Sequence, residues 1–297
     1  MAQFDVPEMG GTTRVVGGQT FDLSRHVVVM GIVNRTRDSF YDRGATFALD
    51  TAVAAAEQAL AEGADWVDIG AVPFSPLAGT VSAQEEADRL VPVVAAIRAR
   101  SSAVVSVDTW RASVARAALA AGADAVNDTS GLHDPEMAGT VAAAGATLVI
   151  THSRARPGEM LARPAYRDVV AEVAEFLAER AAYAQSQGVA HDRIVVDPGH
   201  DLNKNTDHSL ELTRRLGELA TLGYPLLASV SNKDFLQETL DRPARDVVEG
   251  TIAAVVLCVV GGARIVRVHD VAAVAAAVRV VEAVQGWREP VRARHTR

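Results

Sequence analysis

Aromatic side chains are scarce in this chain: they make up 5% of its 297 residues, although 49% are hydrophobic. A core built from Ala and Val in place of large rings fits a parallel α/β protein better than a β-sandwich. Cysteine is nearly absent too. The single Cys258 excludes a disulfide within the chain, and a reducing, cytoplasmic setting is expected. It lies in the apolar run Ile252–Val260 and reads as a core residue of a buried helix. A basic excess is missing: the formal net charge of −8 argues against a nucleic-acid surface. No apolar run is long enough for a membrane span, and no basic-then-apolar signal segment is seen. There is no Gly-x-Gly-x-x-Gly, no Walker A and no His-Glu-x-x-His. His133, His191, His200 and His208 lack ligand spacing, so a zinc site is not expected.

What the chain has is a repeated phrase. Gly63-Ala64, Gly122-Ala123, Gly145-Ala146 and Gly262-Ala263 each follow an Ala-rich stretch, and each leads into a short apolar run that ends in polar residues. Glycine accepts the left-handed conformation that a helix C-terminus needs. Unalternating apolar runs suit strands buried on both faces. Strands are predicted near Val27–Val33, Trp66–Gly70, Ala103–Asp108, Ala125–Asp128, Thr147–Thr151, Arg193–Asp197, Pro225–Ser229 and Arg264–His269. Arg14–Leu23 with Gly17-Gly18 reads as a hairpin before them. Ser82 with Glu85 reads as a capping box, and Pro243 as the opening of a helix running through Val256. Eight βα units without a linker predict one domain over residues 1–297, a (β/α)8 TIM barrel at about 26–287 with a short N-terminal hairpin. An open doubly wound sheet is the alternative. Residues 288–297 read as a flexible tail. The excess apolar surface of the last two helices predicts a homodimer interface.

The strand ends carry Asn34, Asp68, Asp108, Asn127, His152 and Asp197, then Ser231 and Lys233, then Arg267, His269 and Asp270. Any one has a bland reading: Asp108 or Asp197 as a helix cap, His152 as a packed histidine, Lys233 as a solvated charge. Polar groups at nearly every strand end are not explained that way. In a barrel they share one mouth. Asp, Asn and Lys together match a flat polar heterocycle, while Arg267, His269 and Asn34 suit an anion or its metal ion.

The segments Met30-Gly31-Ile32-Val33-Asn34-x-Thr36-x-Asp38-Ser39-Phe40, Ser106-Val107-Asp108-Thr109, Asn127-Asp128-x-Ser130-Gly131, Asp197-Pro198-Gly199, Ser231-x-Lys233 and Arg267-Val268-His269-Asp270 resemble, in order, the dihydropteroate synthase family. The resemblance runs from about Val27 to Val284. It implies a homodimeric pterin-binding barrel in which Asp108, Asn127, Asp197 and Lys233 hold the pterin. Asn34 would act through Mg²⁺, and with Arg267 and His269 would hold the pyrophosphate. Asp108, Lys233, Arg267 and His269 would be the catalytic set. The implied chemistry joins 6-hydroxymethyl-7,8-dihydropterin pyrophosphate to p-aminobenzoate.

Three loops depart from the family pattern. Arg37 and Arg43 replace a proline and a glycine of the first loop, and Arg35 stands where a small apolar residue is usual. In the second loop Phe74 and Ser75 replace a Thr-Arg pair. After the sixth strand, Gly-Phe-Gly-Phe-Gly-Lys becomes Gly199-His200-Asp201-Leu202-Asn203-Lys204, and Ser-Arg-Lys becomes Ser231-Asn232-Lys233. The expected protein is therefore a divergent homologue that binds a pterin with weak or no synthase activity. The alternatives are an active synthase, a methyltetrahydrofolate-binding methyltransferase domain, and a non-enzymatic dimeric interaction protein. The Asn34 loop, the Ser-x-Lys segment and the lack of a corrinoid-binding partner domain point away from the methyltransferase.

Overall fold

The computed structural model describes residues 12–35, 48–72, 81–155, 159, 161, 163–243 and 246–292. A hairpin comes first: β1 (Thr13–Val16) pairs antiparallel with β2 (Gln19–Asp22). Its turn, Gly17-Gly18, has φ of 57° and 76°. Two positive values are what a type I′ hairpin turn demands.

Eight parallel strands then close into a barrel: β3 (Val28–Asn34), β4 (Trp66–Gly70), β5 (Val104–Asp108), β6 (Ala125–Asp128), β7 (Thr147–Thr151), β8 (Ile194–Asp197), β9 (Leu226–Ala228) and β10 (Ala263–Val268). β10 returns to β3 with Ile265 opposite Val28, which closes the ring. The open-sheet alternative is thereby excluded. The β8–β9 seam is thin, with only Val196 and Leu226 in register.

Around the ring lie α1 (Leu49–Ala61), α2 (Ala83–Arg98), α3 (Ala112–Ala120), α4 (Met137–Ala144), α5 (Val169–Ser186), α6 (Thr206–Arg214), α7 (Leu216–Ala220), α8 (Asp234–Leu240), α9 (Val248–Val260) and α10 (Val271–Val284). The repeated Gly-Ala phrase ends α1, α3, α4 and α9. Ala64 N–H reaches back to Ala59 O at 3.0 Å, Ala123 to Ala118 O at 3.0 Å, and Ala146 to Val141 O at 3.2 Å. This six-to-one bond is the Schellman closure, and it needs the positive φ that Gly63 and Gly122 adopt.

Two apolar layers result. Val29, Val33, Val67, Ile69, Val105, Val107 and their equivalents face the helices. Val28, Met30, Trp66, Val104, Val149, Val195, Leu227 and Ile265 fill the barrel interior. The hairpin seals the lower end by adding Val16, Phe21 and Leu23 to that interior core, with Phe21 edge-on to Trp66 at 5.9 Å. Strand side chains repeat every two residues. Moving up each strand from an inward apolar residue therefore meets an inward polar one: Trp66 then Asp68, Val104 then Ser106 and Asp108, Ala125 then Asn127, Val195 then Asp197, Ile265 then Arg267.

Two local expectations need correction. α9 starts at Val248, five residues after Pro243. Pro243 O accepts from Asp246 N at 3.1 Å, and the fully buried Val247, at φ −133° and ψ 26°, interrupts the helical path. At α2, Ser82 Oγ accepts from Glu85 N at 3.1 Å, but the Glu85 carboxylate pairs with Arg89. The cap is thus made from the serine side. Half of the predicted tail, 293–297, lies outside the described residues.

Beneath the barrel, His26 is bracketed by Asp65 (Nε2–Oδ1 3.1 Å) and Glu282 (Nδ1–Oε1 3.3 Å). Hydrogen bonds to Asp65 and Glu282 push its pKa up to about 9, against the opposing effect of burial. The unfolded value is near ~6.5. The bracket therefore adds stability in full below about pH 6.5 and loses it as pH rises through about 9. The melting temperature is expected to fall by a few degrees between pH 6.5 and 9.5. His26→Gln should flatten that slope in a thermal scan.

Candidate functional site

The mouth is organised by a buried carboxylate, Asp68, on β4. It is fully buried, and its Oδ2 accepts from Arg267 Nε at 2.6 Å and Asn127 Nδ2 at 3.1 Å. Arg267 Nη2 goes on to Asp108 Oδ2 at 2.9 Å, so one guanidinium bridges two carboxylates. Burial opposes the charge on Arg267, yet Asp68 and Asp108 more than offset it and hold its pKa above the ordinary value. Burial pushes Asp108 up, Arg267 opposes that shift, and the neighbouring Asp68 adds to it. Two oxygens here, Asp68 Oδ1 and Asn127 Oδ1, are buried without a protein donor. Such a group costs about 1–3 kcal/mol unless a donor is supplied. A flat heterocycle with an N–H edge carries suitable donors.

Across the mouth stands Asp197, 4% exposed, its Oδ1 accepting from Gly199 N at 2.7 Å. Burial pushes its pKa up, against the Gly199 N–H and the charges of Lys233, Arg267 and Lys204. Lys233 precedes α8 and donates Nζ to His200 O at 3.0 Å. Burial pushes its pKa down, and Asp201 and Asp197 oppose this.

The loop after β8 holds this side together. Lys204 Nζ donates to His152 Nδ1 (2.8 Å), Gly199 O (2.8 Å) and Leu202 O (3.1 Å). With Nδ1 as acceptor, His152 is neutral. Burial and then Lys204 push its pKa down to about 2. His152 is therefore the packed, hydrogen-bonded histidine of the bland reading. Gly199 has φ of 66°, and a Cβ there would lie 2.2 Å from His152 O. Asn203 Oδ1 accepts from Ser153 Oγ, Arg154 N and Ala155 N at 2.8–3.0 Å, tying the β7 loop to the β8 loop.

Of the expected anion-side residues, His269 Nδ1 is 3.1 Å from Ser231 Oγ, which also accepts from His269 N at 3.2 Å. Ser231 thus holds both the backbone and the ring of His269, with its hydroxyl against Nδ1 and Nε2 on the far side of the ring. Asn34 ends β3 beside Gly70, where a Cβ would lie 3.4 Å from Asn34 Oδ1 and 3.7 Å from Asp108 Cβ. Asn34 and Asp108 thus flank a space that only glycine leaves open. Arg35, one residue on, points to the outside: its guanidinium donates to Arg89 O on α2, and its N–H to Gly70 O at 2.7 Å. Asn232 occupies the left-handed region at φ 55°, with Nδ2 3.4 Å from Asp270 Oδ2. The changed residues Arg37, Arg43, Phe74 and Ser75 lie outside the described residues.

Asp108 and Arg267 are therefore in contact, Asn127 joins them through Asp68, and Asp197 and Lys233 face them electrostatically. His269 is held one step away by Ser231. Sequence reading noted Asp68 only as a strand-end residue and gave Lys204, Asp201 and Asn203 no role. One signal was available: of 29 Lys and Arg, only Lys204 and Lys233 are lysine. Among the described residues, no group of three or more His, Cys, Asp or Glu side chains is placed to hold a metal ion. No helix among them is long and apolar enough to cross a membrane.

The model of the pterin binding enzyme family matches residues 30–269. The chain belongs to the pterin-binding, dihydropteroate synthase-like family. It is 45% identical over 271 residues to a Mycobacterium leprae protein named inactive dihydropteroate synthase 2, covering 89% of this chain and 93% of that one. It is 40% identical over 275 residues to the dihydropteroate synthase of Synechocystis sp., covering 92% and 94%. The solved structure of Xanthomonas albilineans dihydropteroate synthase in complex with 7,8-dihydropteroate superposes with a TM-score of 0.81 at 35% identity, covering 93% and 99%. Against the family pattern given above, Asp201 and Asn203 stand at two glycine positions and keep positive φ, at 64° and 52°. Asp and Asn tolerate that region better than other side chains.

Proposed function

We propose that this chain binds a pterin at the barrel mouth and has weak or no dihydropteroate synthase activity. The observation that carries the pterin reading is the pair of donorless oxygens, Asp68 Oδ1 and Asn127 Oδ1, in a mouth that also holds Asp108, Asp197 and Lys233. A pterin edge offers the N–H donors these acceptors need, and its ring nitrogens and oxygen suit the Lys233 ammonium.

The synthase reaction must stabilise positive charge on the pterin methylene and negative charge on the departing pyrophosphate. Asp108 would face the first, but its carboxylate is shared with Arg267. Arg267 in turn is divided between Asp68 and Asp108, which lessens the positive field it can offer the pyrophosphate. His269 would donate Nε2–H to the pyrophosphate. Asn34 Oδ1 fits as one protein oxygen for Mg²⁺, which takes most of its ligands from water and phosphate and when bound offsets charge on the leaving group. The rate falls tenfold for each ~1.4 kcal/mol lost. Asn232 in place of an arginine and Leu202 in place of a phenylalanine weaken the aminobenzoate side further. The name of the M. leprae relative supports this reading. The retained Asn34, Lys233, Arg267 and His269 favour the second reading, a working synthase.

Calorimetric titration with 6-hydroxymethyl-7,8-dihydropterin pyrophosphate and Mg²⁺, followed by p-aminobenzoate and a dihydropteroate assay, separates the readings. Tight binding without product is expected. Product at ordinary enzyme rates would favour the active synthase, and no binding would leave the interaction protein.

The chain is further proposed to be a cytoplasmic homodimer through α9 and α10. Leu257, Val280 and Val284 are 60%, 62% and 74% exposed there, an apolar face that a second copy would cover. Light scattering at twice the 31.3 kDa chain mass would bear this out.

A further inference from the structure

The two lysines of this chain sit on one loop system, and a third residue of that system links to both arms of Lys233. Asp201 lies between Gly199 and Asn203, in the left-handed region. Its Oδ1 accepts from Ser209 Oγ at 2.8 Å, and its own N–H donates to Ser209 Oγ at 3.1 Å, which anchors it on α6. Its Oδ2 accepts from Phe235 N at 3.2 Å, which holds the first turn of α8, the helix that Lys233 opens. The peptide joining His200 to Asp201 carries the carbonyl that receives Lys233 Nζ at 3.0 Å. Both the root and the tip of the Lys233 side chain are therefore referred to Asp201.

We propose that Asp201 is a positioning residue for Lys233: it fixes the start of α8 and the carbonyl on which the ammonium rests, and supplies a facing negative charge. A glycine at this position would permit the same backbone turn but provide neither the Phe235 bond nor the charge. Among the described residues, the groups facing Lys233 include Asp197 from β8, Asp201 and Lys204 from the following loop, Asp234 from α8 and Arg267 from β10. Asp201 is the foremost of the anions that oppose the burial penalty on Lys233. Any effect on ligand rests on the pterin reading of the mouth; the placement of Lys233 does not.

With only two lysines, protein carrying ¹³C- and ¹⁵N-labelled lysine gives two side-chain ammonium signals. These are titrated in the parent, Asp201→Asn and Asp201→Gly, and each protein is also titrated with 6-hydroxymethyl-7,8-dihydropterin pyrophosphate. Asn keeps the size and the tolerance of positive φ without the charge, so it serves even if the Gly variant folds poorly. The Lys233 midpoint is expected to fall by about one pH unit in both variants, and further than that of Lys204. Pterin affinity is expected to fall about tenfold, equivalent to ~1.4 kcal/mol. A Lys233 midpoint unchanged in both variants would overturn the proposal. So would an unchanged affinity when the parent binds the pterin. A purely structural Asp201 would lower the melting temperature and leave the Lys233 midpoint where it was. If the parent binds no pterin and the midpoint still moves, the positioning role stands and the pterin reading fails.

Discussion

Arg267→Met is expected to destabilise the protein by about 3–5 kcal/mol at neutral pH and to make it more stable in mild acid than at pH 7.5. Methionine fills most of the space of the arginine stem but leaves Asp68 and Asp108 without their shared cation. Asp68 is fully buried and Asp108 is 22% exposed, so water only partly replaces the lost bonds. Two carboxylates this close cannot both stay ionised cheaply, and the folded variant takes up a proton that the unfolded chain does not. Burial already raises the pKa of Asp108 with Arg267 present. When a carboxylate titrates higher in the folded state, stability falls as pH rises from its unfolded value near ~4 toward the folded one. A melting temperature several degrees higher at pH 5 than at pH 7.5 is therefore expected. A flat or rising profile over that range would refute the bridge. Adding Asp108→Asn should recover much of the loss at neutral pH, because the repulsion disappears with one of the charges.

The second large effect concerns binding. Asp197→Asn is expected to weaken the pterin pyrophosphate at least about 100-fold while changing the melting temperature little. Gly199 N–H already claims Oδ1 at 2.7 Å. An asparagine must keep its oxygen there, which turns Nδ2, a donor, to the position where the carboxylate offered an acceptor. A pterin N–H would then meet an N–H, and Lys233 would lose an opposing charge. Stability is spared because the buried charge, itself costly, is gone. Calorimetry beside thermal melting separates the two effects. A loss below about threefold would remove Asp197 from the ligand contacts.

The architecture was readable because each unit repeats one local rule. The predicted bounds Trp66–Gly70, Ala125–Asp128 and Thr147–Thr151 are those observed. The gathering of the strand-end polar residues at one mouth was readable because a period of two carries each strand from apolar to polar at the same height. What escaped the reading depends on distance along the chain. Asp68 is 59 positions from Asn127 and 199 from Arg267, and nothing local marks it as their junction. The outward direction of Arg35 follows from the strand alternation that turns Asn34 inward, but its seat on α2 needs the helix in place. Asp201 and Asn203 read as lost glycines, whereas their side chains make bonds that glycine has no atoms to form. The late start of α9 reflects the burial of Val247, a tertiary demand that overrides the preference of Pro243 for a first turn.

The β8–β9 seam gives that loop a second meaning. A ring of strands is only as strong as its weakest rung, and here one register pair, Val196 with Leu226, joins the two edges. Directly above it, Lys233 reaches back to His200 O and Phe235 N–H reaches Asp201, so side chains span a gap the backbone barely closes. The groups that would grip a ligand are thus the clasp of the staves, and occupancy of the mouth should slow amide exchange in β9 just beneath it.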